Sequence, residues 1–371
     1  MSGLRAIIEQ EIGERGPIPF SRYMELCLYH PELGYYSRNA SQFGKAGDFY
    51  TSSDVHAVFG RLLARQFDEM WRVLGSPASI TLKELGPGRG LFAQDVLDWS
   101  EKKFPDFFNA VQYVLDEQSP TLRERITQVL TRHLVSGKAI FDGAAKPEGR
   151  PCIVFANEFF DAIPVEIVSP EGSVRIDADH GKFVEAWVRP SSEELEFLDR
   201  YSVHPEQGER VEVALRSQQS FLAASDFDCG FMVAIDYGYT RDEQLAGRHR
   251  GTLKAIRQHS VSANPYEAPG EQDITADVNF TALSTLGEQK GVSTQKLITQ
   301  SQFLMGIGEA NQFADAFEGC RLPQEHTKVA LQLKHLVTPA GMGESFHVLV
   351  ASKGIETEKA QELAGLSFGR R

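Results

Sequence analysis

The fold of this chain is decided by one stretch, Thr81-Leu82-Lys83-Glu84-Leu85-Gly86-Pro87-Gly88-Arg89-Gly90. A strand-like run ends at Leu85, three glycines follow at alternate positions, and a helical pattern begins near Leu91. Glycine permits a tight turn and lets a ligand approach the backbone without a Cβ in the way. The N–H groups at the start of the following helix favour a negatively charged group. The stretch therefore predicts a strand, a turn and a helix that together hold a ligand.

The spacing of the glycines favours one ligand class over another. A dinucleotide-binding turn has the pattern G-x-G-x-x-G, and here Leu91 stands where its third glycine would be. Glu84, two positions before the first glycine, and the tighter spacing fit S-adenosylmethionine (SAM) better. A strand–turn–helix that binds no ligand is the structural alternative.

The next strand is predicted to end in a second binding residue. The run Val111-Gln112-Tyr113-Val114-Leu115-Asp116-Glu117 is apolar and closes with two acids. An acid at the tip of the second strand of a nucleotide-binding sheet accepts hydrogen bonds from both ribose hydroxyls. We assign this role to Glu117, which lies later than Asp116. The alternative is a solvated pair before a helix that starts at Ser119 and Pro120.

Three polar residues follow a later apolar strand, at a place where open α/β sheets bind their ligands. They are Asn157, Glu158 and Asp161, after Cys152-Ile153-Val154-Phe155-Ala156. Their amide and carboxylate oxygens suit the orientation of a nitrogen nucleophile and the stabilisation of its developing positive charge. We predict a catalytic role for all three. The alternative is a helix start, with Asn157 as N-cap and the two acids in the first turn.

Composition narrows the functional class. A chain of 371 residues with 42% hydrophobic and 24% charged residues is typical of a globular protein. The net charge of −13 argues against a general nucleic-acid binder, whose phosphate contacts need clustered Lys and Arg. No apolar run approaches the ~18–20 residues of a membrane span. The N-terminus lacks the apolar core of a signal peptide, so a cytoplasmic location is expected.

Neither a metal site nor a disulfide framework is predicted. No pair of histidines has the H-x-x-x-H or H-E-x-x-H spacing. The four cysteines are far apart and form no C-x-x-C pair, so we expect reduced thiols. They are Cys27, Cys152, Cys229 and Cys320.

Helical and strand patterns alternate along the chain, as in α/β proteins. Helices are predicted over 2–15, 21–30 and 56–74, and strands at 80–85, 111–116, 139–141, 152–156, 231–235 and 345–351. Short β-like pieces predict an inserted β-rich subdomain around 165–225. We therefore divide the chain into an N-terminal helical segment, 1–75, and a Rossmann-like domain, 76–371.

Taken together, these motifs resemble the MidA family of SAM-dependent methyltransferases, which includes the mitochondrial complex I assembly-factor methyltransferase. The resemblance extends over nearly the whole chain. Beyond the two motifs that contain Glu84 and Asn157, it includes Gly16-Pro17-Ile18, Phe59-Gly60, Ile235-Asp236-Tyr237-Gly238, Gly251-Thr252-Leu253 and the runs 28–36, 47–52 and 269–280. One departure stands out, because Asn279 occupies a position where the family usually has Asp.

The resemblance implies a class I methyltransferase fold, with a seven-stranded mixed sheet, one reversed edge strand, a helical N-terminal extension and an insertion. It implies that Glu84 lies near the SAM ammonium and Glu117 on the ribose. The other residues that it implies for SAM binding are Gly47, Asp48, Phe49, Thr51, Gly86, Gly88, Gly90 and Asp142. The first four match a family segment that closes over the cofactor, and Asp142 would meet the adenine or, alternatively, be an ordinary turn residue.

The implied activity is methyl transfer to a protein nitrogen, an arginine by analogy with the eukaryotic relative, whose substrate is a complex I subunit. Two other functions stay open. The chain could be a SAM-binding assembly scaffold with little turnover. An NAD-dependent dehydrogenase is the third hypothesis, and Leu91 argues against it.

Overall fold

The computed structural model describes residues 3–38, 57–143, 149–257, 260–262 and 264–369. In chain order its helices are α1 (Gly3–Arg15), α2 (Phe20–Tyr29), α3 (Tyr35–Arg38), α4 (Ala57–Val73), α5 (Leu91–Lys103), α6 (Pro105–Ala110), α7 (Pro120–Val129), α8 (Thr131–Val135), α9 (Ser192–Tyr201), α10 (Leu215–Ala224), α11 (Arg241–Leu245), α12 (Phe280–Gln289), α13 (Gln300–Glu309), α14 (Ala314–Phe317), α15 (Pro323–Val337) and α16 (Thr357–Gln361). A 3₁₀ turn, Ala364–Leu366, follows the last of them.

The strands, in the same order, are β1 (Ile18–Pro19), β2 (Ile80–Leu85), β3 (Val111–Asp116), β4 (Ala139–Phe141), β5 (Cys152–Asn157), β6 (Glu166–Ser169), β7 (Gly172–Asp179), β8 (Lys182–Val188), β9 (Val211–Val213), β10 (Gly230–Tyr239), β11 (Lys254–Arg257), β12 (Ser260–Ser262), β13 (Asp273–Thr275), β14 (Val278–Asn279), β15 (Ser293–Thr294), β16 (Ile298–Thr299) and β17 (Phe346–Lys353). The predicted strands at 80–85, 111–116 and 139–141 have the observed bounds. Those predicted at 152–156, 231–235 and 345–351 are present and end one to four residues later.

The main sheet has the strand order β15-β17-β10-β5-β2-β3-β4 within the described part of the chain. The five strands from β10 to β4 run parallel to one another. β17 is antiparallel to β10, and the short β15 pairs with the outer side of β17. This mixed α/β sheet confirms the predicted fold class. The reversed strand lies one place inside the edge, because β15 covers it.

The central strands form because their residues are apolar on both faces and helices cover both. Phe155 of β5 shows how α4 and α5 pack on one of these faces. Its ring stacks on Phe92 with centroids 4.5 Å apart, and its edge meets Phe67 at 5.5 Å. All three rings belong to one buried cluster. This packing fixes α5, and with it the glycine turn that precedes it.

The strand order reverses at β2. From β2 the chain moves outward to β3 and β4, and it then returns to the other side of β2 as β5. The connections that leave β2 and β5 therefore diverge, and a crevice opens beyond the carboxyl ends of these strands. The sequence motifs at 86–90 and 157–161 both follow these strand ends.

A second, antiparallel sheet has the order β1-β7-β6-β9, with β8 on the other side of β7. It joins the inserted strands to the N-terminus, since Ile18 of β1 pairs with Ile176 of β7. Helices α1 and α2 pack against this sheet in a buried cluster of their own, whereas α4 packs in the core of the main sheet. The division at residue 75 stays a prediction.

The stacked position of Phe155 predicts a large loss of stability on truncation. Phe155 is fully buried, so Phe155→Ala should lower the free energy of unfolding by about 3–5 kcal/mol, measured by urea denaturation. Phe368→Ala, the same change at a side chain that is 40% exposed, should cost less than about 1 kcal/mol. Equal losses in the two variants would contradict the packing.

Candidate active site

The turn after β2 adopts the conformation that its glycines predict. Gly86, Gly88 and Gly90 have φ angles of 60°, 54° and 77°, a region that residues with a Cβ rarely adopt. The N–H of Gly86 donates to the carbonyl of Asp116 at 3.1 Å, which ties the turn to β3. Gly90 is the N-cap of α5 and its N–H donates to the carbonyl of Pro87 at 2.9 Å.

A cavity of about 530 Å³ lies beyond the carboxyl ends of β2, β3 and β5. Four parts of the chain line it: the end of β2 with its turn, the segment after β3, the segment after β5, and the N-terminal residues around 29–37. Its lining residues are Tyr29, Pro31, Tyr36, Ser37, Glu84, Gly86, Pro87, Gly88, Arg89, Leu91, Phe92, Asp116, Glu117, Gln118, Ser119, Pro120, Leu122, Asn157, Glu158, Phe159, Asp161 and Ala162. The cavity thus brings together seven of the predicted site residues, which the chain separates by up to 77 positions (161 minus 84).

Glu84 is a deeply buried acid of the cavity. It is 5% exposed, and its Oε2 accepts a hydrogen bond from the Tyr113 hydroxyl at 2.7 Å. Burial raises the pKa of Glu84 to about 8, against the opposing effect of the Tyr113 hydrogen bond. A buried carboxyl of this kind is mainly protonated at neutral pH and ionises when a cation is placed beside it.

Glu117 lines the same cavity from the end of β3. Its Oε1 accepts the backbone N–H of Ser119 at 2.8 Å, which fixes the direction of the side chain. Burial raises its pKa to about 7. The alternative interpretation is correct in part, because the Ser119 hydroxyl caps α7 by accepting the N–H of Leu122, with Pro120 in the first turn. The contact of Glu117 with the ribose stays a prediction.

Asp142 is not among the residues that line the cavity. Lys83 Nζ lies 2.8 Å from its Oδ2 and 2.8 Å from Oδ2 of Asp116. The hydrogen bond from Lys83 lowers the pKa of Asp142. The contact with adenine stays a prediction, and the carboxylate already has a cationic partner.

The segment after β5 is a turn held by one buried carboxylate. Glu158 has a φ of 51°, a left-handed conformation that costs a non-glycine residue about 1–3 kcal/mol. Oδ2 of Asp236, on β10, accepts the backbone N–H groups of Phe159, Phe160 and Asp161 at 3.1, 2.9 and 3.2 Å. Asp236 is fully buried, and burial raises its pKa well above the usual range. No helix starts here, so the alternative of an N-cap at Asn157 is wrong.

The three predicted catalytic residues come together at this turn. The Asn157 amide donates to Oε1 of Glu158 at 3.2 Å. Asp161 is 4% exposed, and burial raises its pKa to about 7. The turn therefore presents one amide and two carboxyl groups to the cavity.

The N-terminal segment covers this cavity, and two of its tyrosines were missed as site residues. The Tyr29 hydroxyl donates to the carbonyl of Ala162 at 2.9 Å, and the Tyr36 hydroxyl to Oδ1 of Asp273 at 3.0 Å. From the segment after β3, the hydroxyls of Ser119 and Thr121 donate to the carbonyls of residues 36 and 37. The sequence does not distinguish these two tyrosines from the other aromatic residues of the segment, because it does not show which face of each helix lies at the cavity.

Asp236 was also missed, because an acid inside an apolar strand has no local signal of its partner. Gly47, Asp48, Phe49 and Thr51 lie outside the described residues. Asn279 has a structural role: it is the N-cap of α12, accepting the N–H of Ala282 at 3.0 Å and donating to the carbonyl of Tyr201 at 2.9 Å. An Asp in its place could accept the N–H of Ala282 but would have no N–H to donate to Tyr201.

The mixed sheet, the glycine turn and the acid-lined crevice define a SAM-dependent methyltransferase. The chain belongs to the family of S-adenosyl-L-methionine-dependent methyltransferases whose model matches residues 62–298. The predicted MidA-type family and the SAM cofactor are thereby confirmed.

Curated relatives and solved structures agree. The protein arginine methyltransferase NDUFAF7 homolog of Drosophila melanogaster is 29% identical, with 94% of this chain and 84% of that protein covered. NDUFAF7 of Homo sapiens is 28% identical over 91% of this chain and 80% of that protein. A crystal structure from Burkholderia thailandensis, bound to S-adenosyl-homocysteine, matches with a TM-score of 0.80 at 27% identity, covering 95% of this chain and 92% of that one.

The expected cytoplasmic location is wrong by these comparisons, because the matching NDUFAF7 relatives are named mitochondrial proteins. The N-terminal composition on which that prediction rested does not outweigh them. In the described part of the chain, no helix is both long enough and apolar enough to cross a membrane.

The glycine turn predicts a specific loss of cofactor binding. A Cβ at Gly88 meets no protein atom within 4 Å, so the side chain of Gly88→Val would occupy the cavity that Gly88 lines. We expect the affinity for S-adenosylhomocysteine, measured by calorimetry, to fall at least about 100-fold. Gly75→Val is the matched control, with a φ of 85° and equally open surroundings outside the cavity. Unchanged affinity in Gly88→Val would place the cofactor elsewhere.

Proposed function

We propose that this methyltransferase transfers the methyl group of SAM to an arginine nitrogen of a protein. The observation that supports it is the shared cavity, in which the acids expected on the cofactor side and the polar turn at 157–161 face one space. The relatives described above are named protein arginine methyltransferases, which supports the acceptor class. The family resemblance makes a subunit of respiratory complex I the first protein to test.

The residues of the cofactor side fit SAM. An ammonium and two ribose hydroxyls are hydrogen-bond donors, and Glu84 and Glu117 offer carboxyl oxygens to receive them. The backbone at Gly86 and Gly88 leaves room for the methionine part of SAM, and the N-terminus of α5 suits the carboxylate of that methionine. When bound, SAM supplies an electrophilic methyl on a cationic sulfur.

The residues of the acceptor side fit a guanidinium. The Asn157 carbonyl and the carboxyl groups of Glu158 and Asp161 are acceptors for N–H groups, so they would hold one nitrogen toward the cofactor side. The attacked nitrogen gives up a proton as it is methylated. Asp161 is suited to receive it, because its pKa of about 7 lies near the working pH.

The acceptor assignment predicts a separation between binding and turnover. Asn157→Ala and Asp161→Ala should each lower methylation by about 100-fold or more, because each removes a group that positions the acceptor or stabilises its charge. S-adenosylhomocysteine affinity should change less than about threefold. Activity is measured as transfer of label from SAM to protein in extracts of cells lacking this protein, and mass spectrometry identifies the methylated residue. Full activity of both variants would exclude the assignment, and methylated lysine in place of arginine would exclude the acceptor class.

The same variants test the scaffold alternative. A SAM-binding scaffold would keep its partner-dependent function in Asn157→Ala and Asp161→Ala, since neither substitution removes the cofactor side of the cavity. Loss of that function together with loss of turnover supports the enzyme.

The raised pKa of Glu84 predicts that ligand binding releases a proton. Below pH 8 Glu84 is mainly protonated in the free protein, and a neighbouring ammonium favours its carboxylate. Binding of S-adenosylhomocysteine near pH 7 should therefore release a proton, and its affinity should rise with pH up to about 8. Calorimetry in buffers of different ionisation enthalpy counts the proton.

Two variants identify the residue that releases the proton. Glu84→Gln should bind about tenfold or more weakly and release no proton from this position. Glu117→Gln should also bind more weakly but keep most of the release. Its expected partners, the ribose hydroxyls, are uncharged, and the charge of Glu117 raises the pKa of Glu84 less than burial does. An unchanged proton count in Glu84→Gln would remove Glu84 from the ammonium site.

A further inference from the structure

A second cavity, of about 390 Å³, lies on the second sheet and shares no lining residue with the first. Strands β6, β8 and β9 form its floor through Ile167, Glu185 and Glu212. Residues 251–253 and 264–266 form its walls. Neither the fold nor methyl transfer explains why two acids lie in it.

Glu212 is the unusual group of this cavity. It is 3% exposed, and its Oε1 accepts the backbone N–H groups of Thr252 and Leu253 at 2.8 and 3.1 Å. Its Oε2 is buried and has no hydrogen-bond partner among the described residues. A buried carboxyl oxygen without a partner is costly and calls for a donor.

The neighbouring cation does not fill that role. Arg210 donates through both terminal nitrogens to Glu185, at 2.6 and 2.6 Å, and the Tyr266 hydroxyl donates to the same carboxylate at 2.7 Å. These contacts make Glu185 and Arg210 a closed pair. The lining therefore holds two carboxyl groups against one guanidinium, and the oxygen that lacks a donor belongs to Glu212.

The sheet register places these groups on one face. Glu212 pairs with Ile167, and Glu185 pairs with Ile176. Side chains two residues apart on a strand share a face, so Trp187 lies on the same face as Glu185, and Trp187 is 46% exposed. An acid with an exposed indole nearby suits an organic cation, which an aromatic face also attracts.

We propose that the second cavity binds an organic cation with N–H donors, a guanidinium or primary ammonium group, whose donor completes the hydrogen bonding of Glu212. The cation is either a free amine or a basic side chain of a protein substrate. The inference does not depend on which residue is methylated.

The position of the cavity makes the protein source testable. Ala162 lines the first cavity and Ile167 the second, and five residues span at most about 18 Å. An extended peptide segment of about five or six residues covers that distance. A basic residue a few positions from the methylated one would then add to recognition.

The test uses agmatine, which has both cationic groups and no carboxylate, in calorimetry with the full chain saturated with S-adenosylhomocysteine. We expect wild type to bind it and Glu212→Gln to bind it about tenfold or more weakly, because the uncharged amide removes the charge-assisted acceptor. Glu212→Gln keeps an oxygen for the N–H groups of Thr252 and Leu253. The Glu212→Gln loss should be the same when it is measured in the Asp161→Asn background, which separates it from binding of the agmatine guanidinium in the first cavity.

A second variant, Asn264→Arg, keeps the proposal testable if Glu212→Gln does not fold. Asn264 is an exposed lining residue, so the substitution places a positive charge at the cavity without a change in the core. It should also weaken agmatine binding about tenfold. No agmatine binding to wild type, or equal binding to wild type and Asn264→Arg, would overturn the proposal, provided that S-adenosylhomocysteine affinity is unchanged.

A titration with a peptide distinguishes a free amine from a basic side chain of a protein as the bound cation. Acetyl-Gly-Lys-Gly-amide presents the ammonium on a peptide. If it binds and Glu212→Gln weakens it, the cavity accepts a protein side chain. If only agmatine binds in this way, the cavity accepts free amines, and if neither binds, the proposal fails.

Discussion

The candidate active site depends on one buried carboxyl group, that of Asp236. A carboxyl group inside a sheet is costly unless its oxygens take part in hydrogen bonds, and Oδ2 of Asp236 accepts three backbone N–H groups of the turn after β5. The same bonds hold Glu158 in its left-handed conformation. Without them the chain after β5 would be free to relax, and Asn157 and Asp161 would lose their common direction into the cavity.

The electrostatics of the cavity suit cationic ligands on both sides. Burial raises the pKa of Glu84, Glu117 and Asp161, and a neighbouring cation would lower these pKa values and favour the carboxylates. SAM and a guanidinium are both cations. A buried acid is less costly when it is neutral, and these acids need to be fully ionised only when a cationic ligand is bound.

The cover of the cavity comes from parts of the chain that are distant in sequence. Strand β1 adds to the inserted sheet at Ile18, and α1 and α2 pack on that sheet. Hydrogen bonds from Tyr29 and Tyr36 then fasten the segment to the turn after β5 and to Asp273. Insertion and N-terminus thus pack as one unit. The insertion forms the second cavity together with residues around 251–253 and 264–266.

The sequence by itself determined the main sheet and the places of the glycine turn, Glu84 and Glu117 at its strand ends, because apolar strand runs, a glycine turn and a terminal acid are local patterns. It determined the family, through motifs in a fixed order. Only the tertiary structure decided that Asp236 holds the turn at 157–161, that Asn279 caps a helix, and that Tyr29 and Tyr36 face the cavity whereas Tyr23 and Tyr35 are core. Those outcomes depend on pairings between residues up to 237 positions apart, such as Tyr36 with Asp273, and a local pattern contains no record of them.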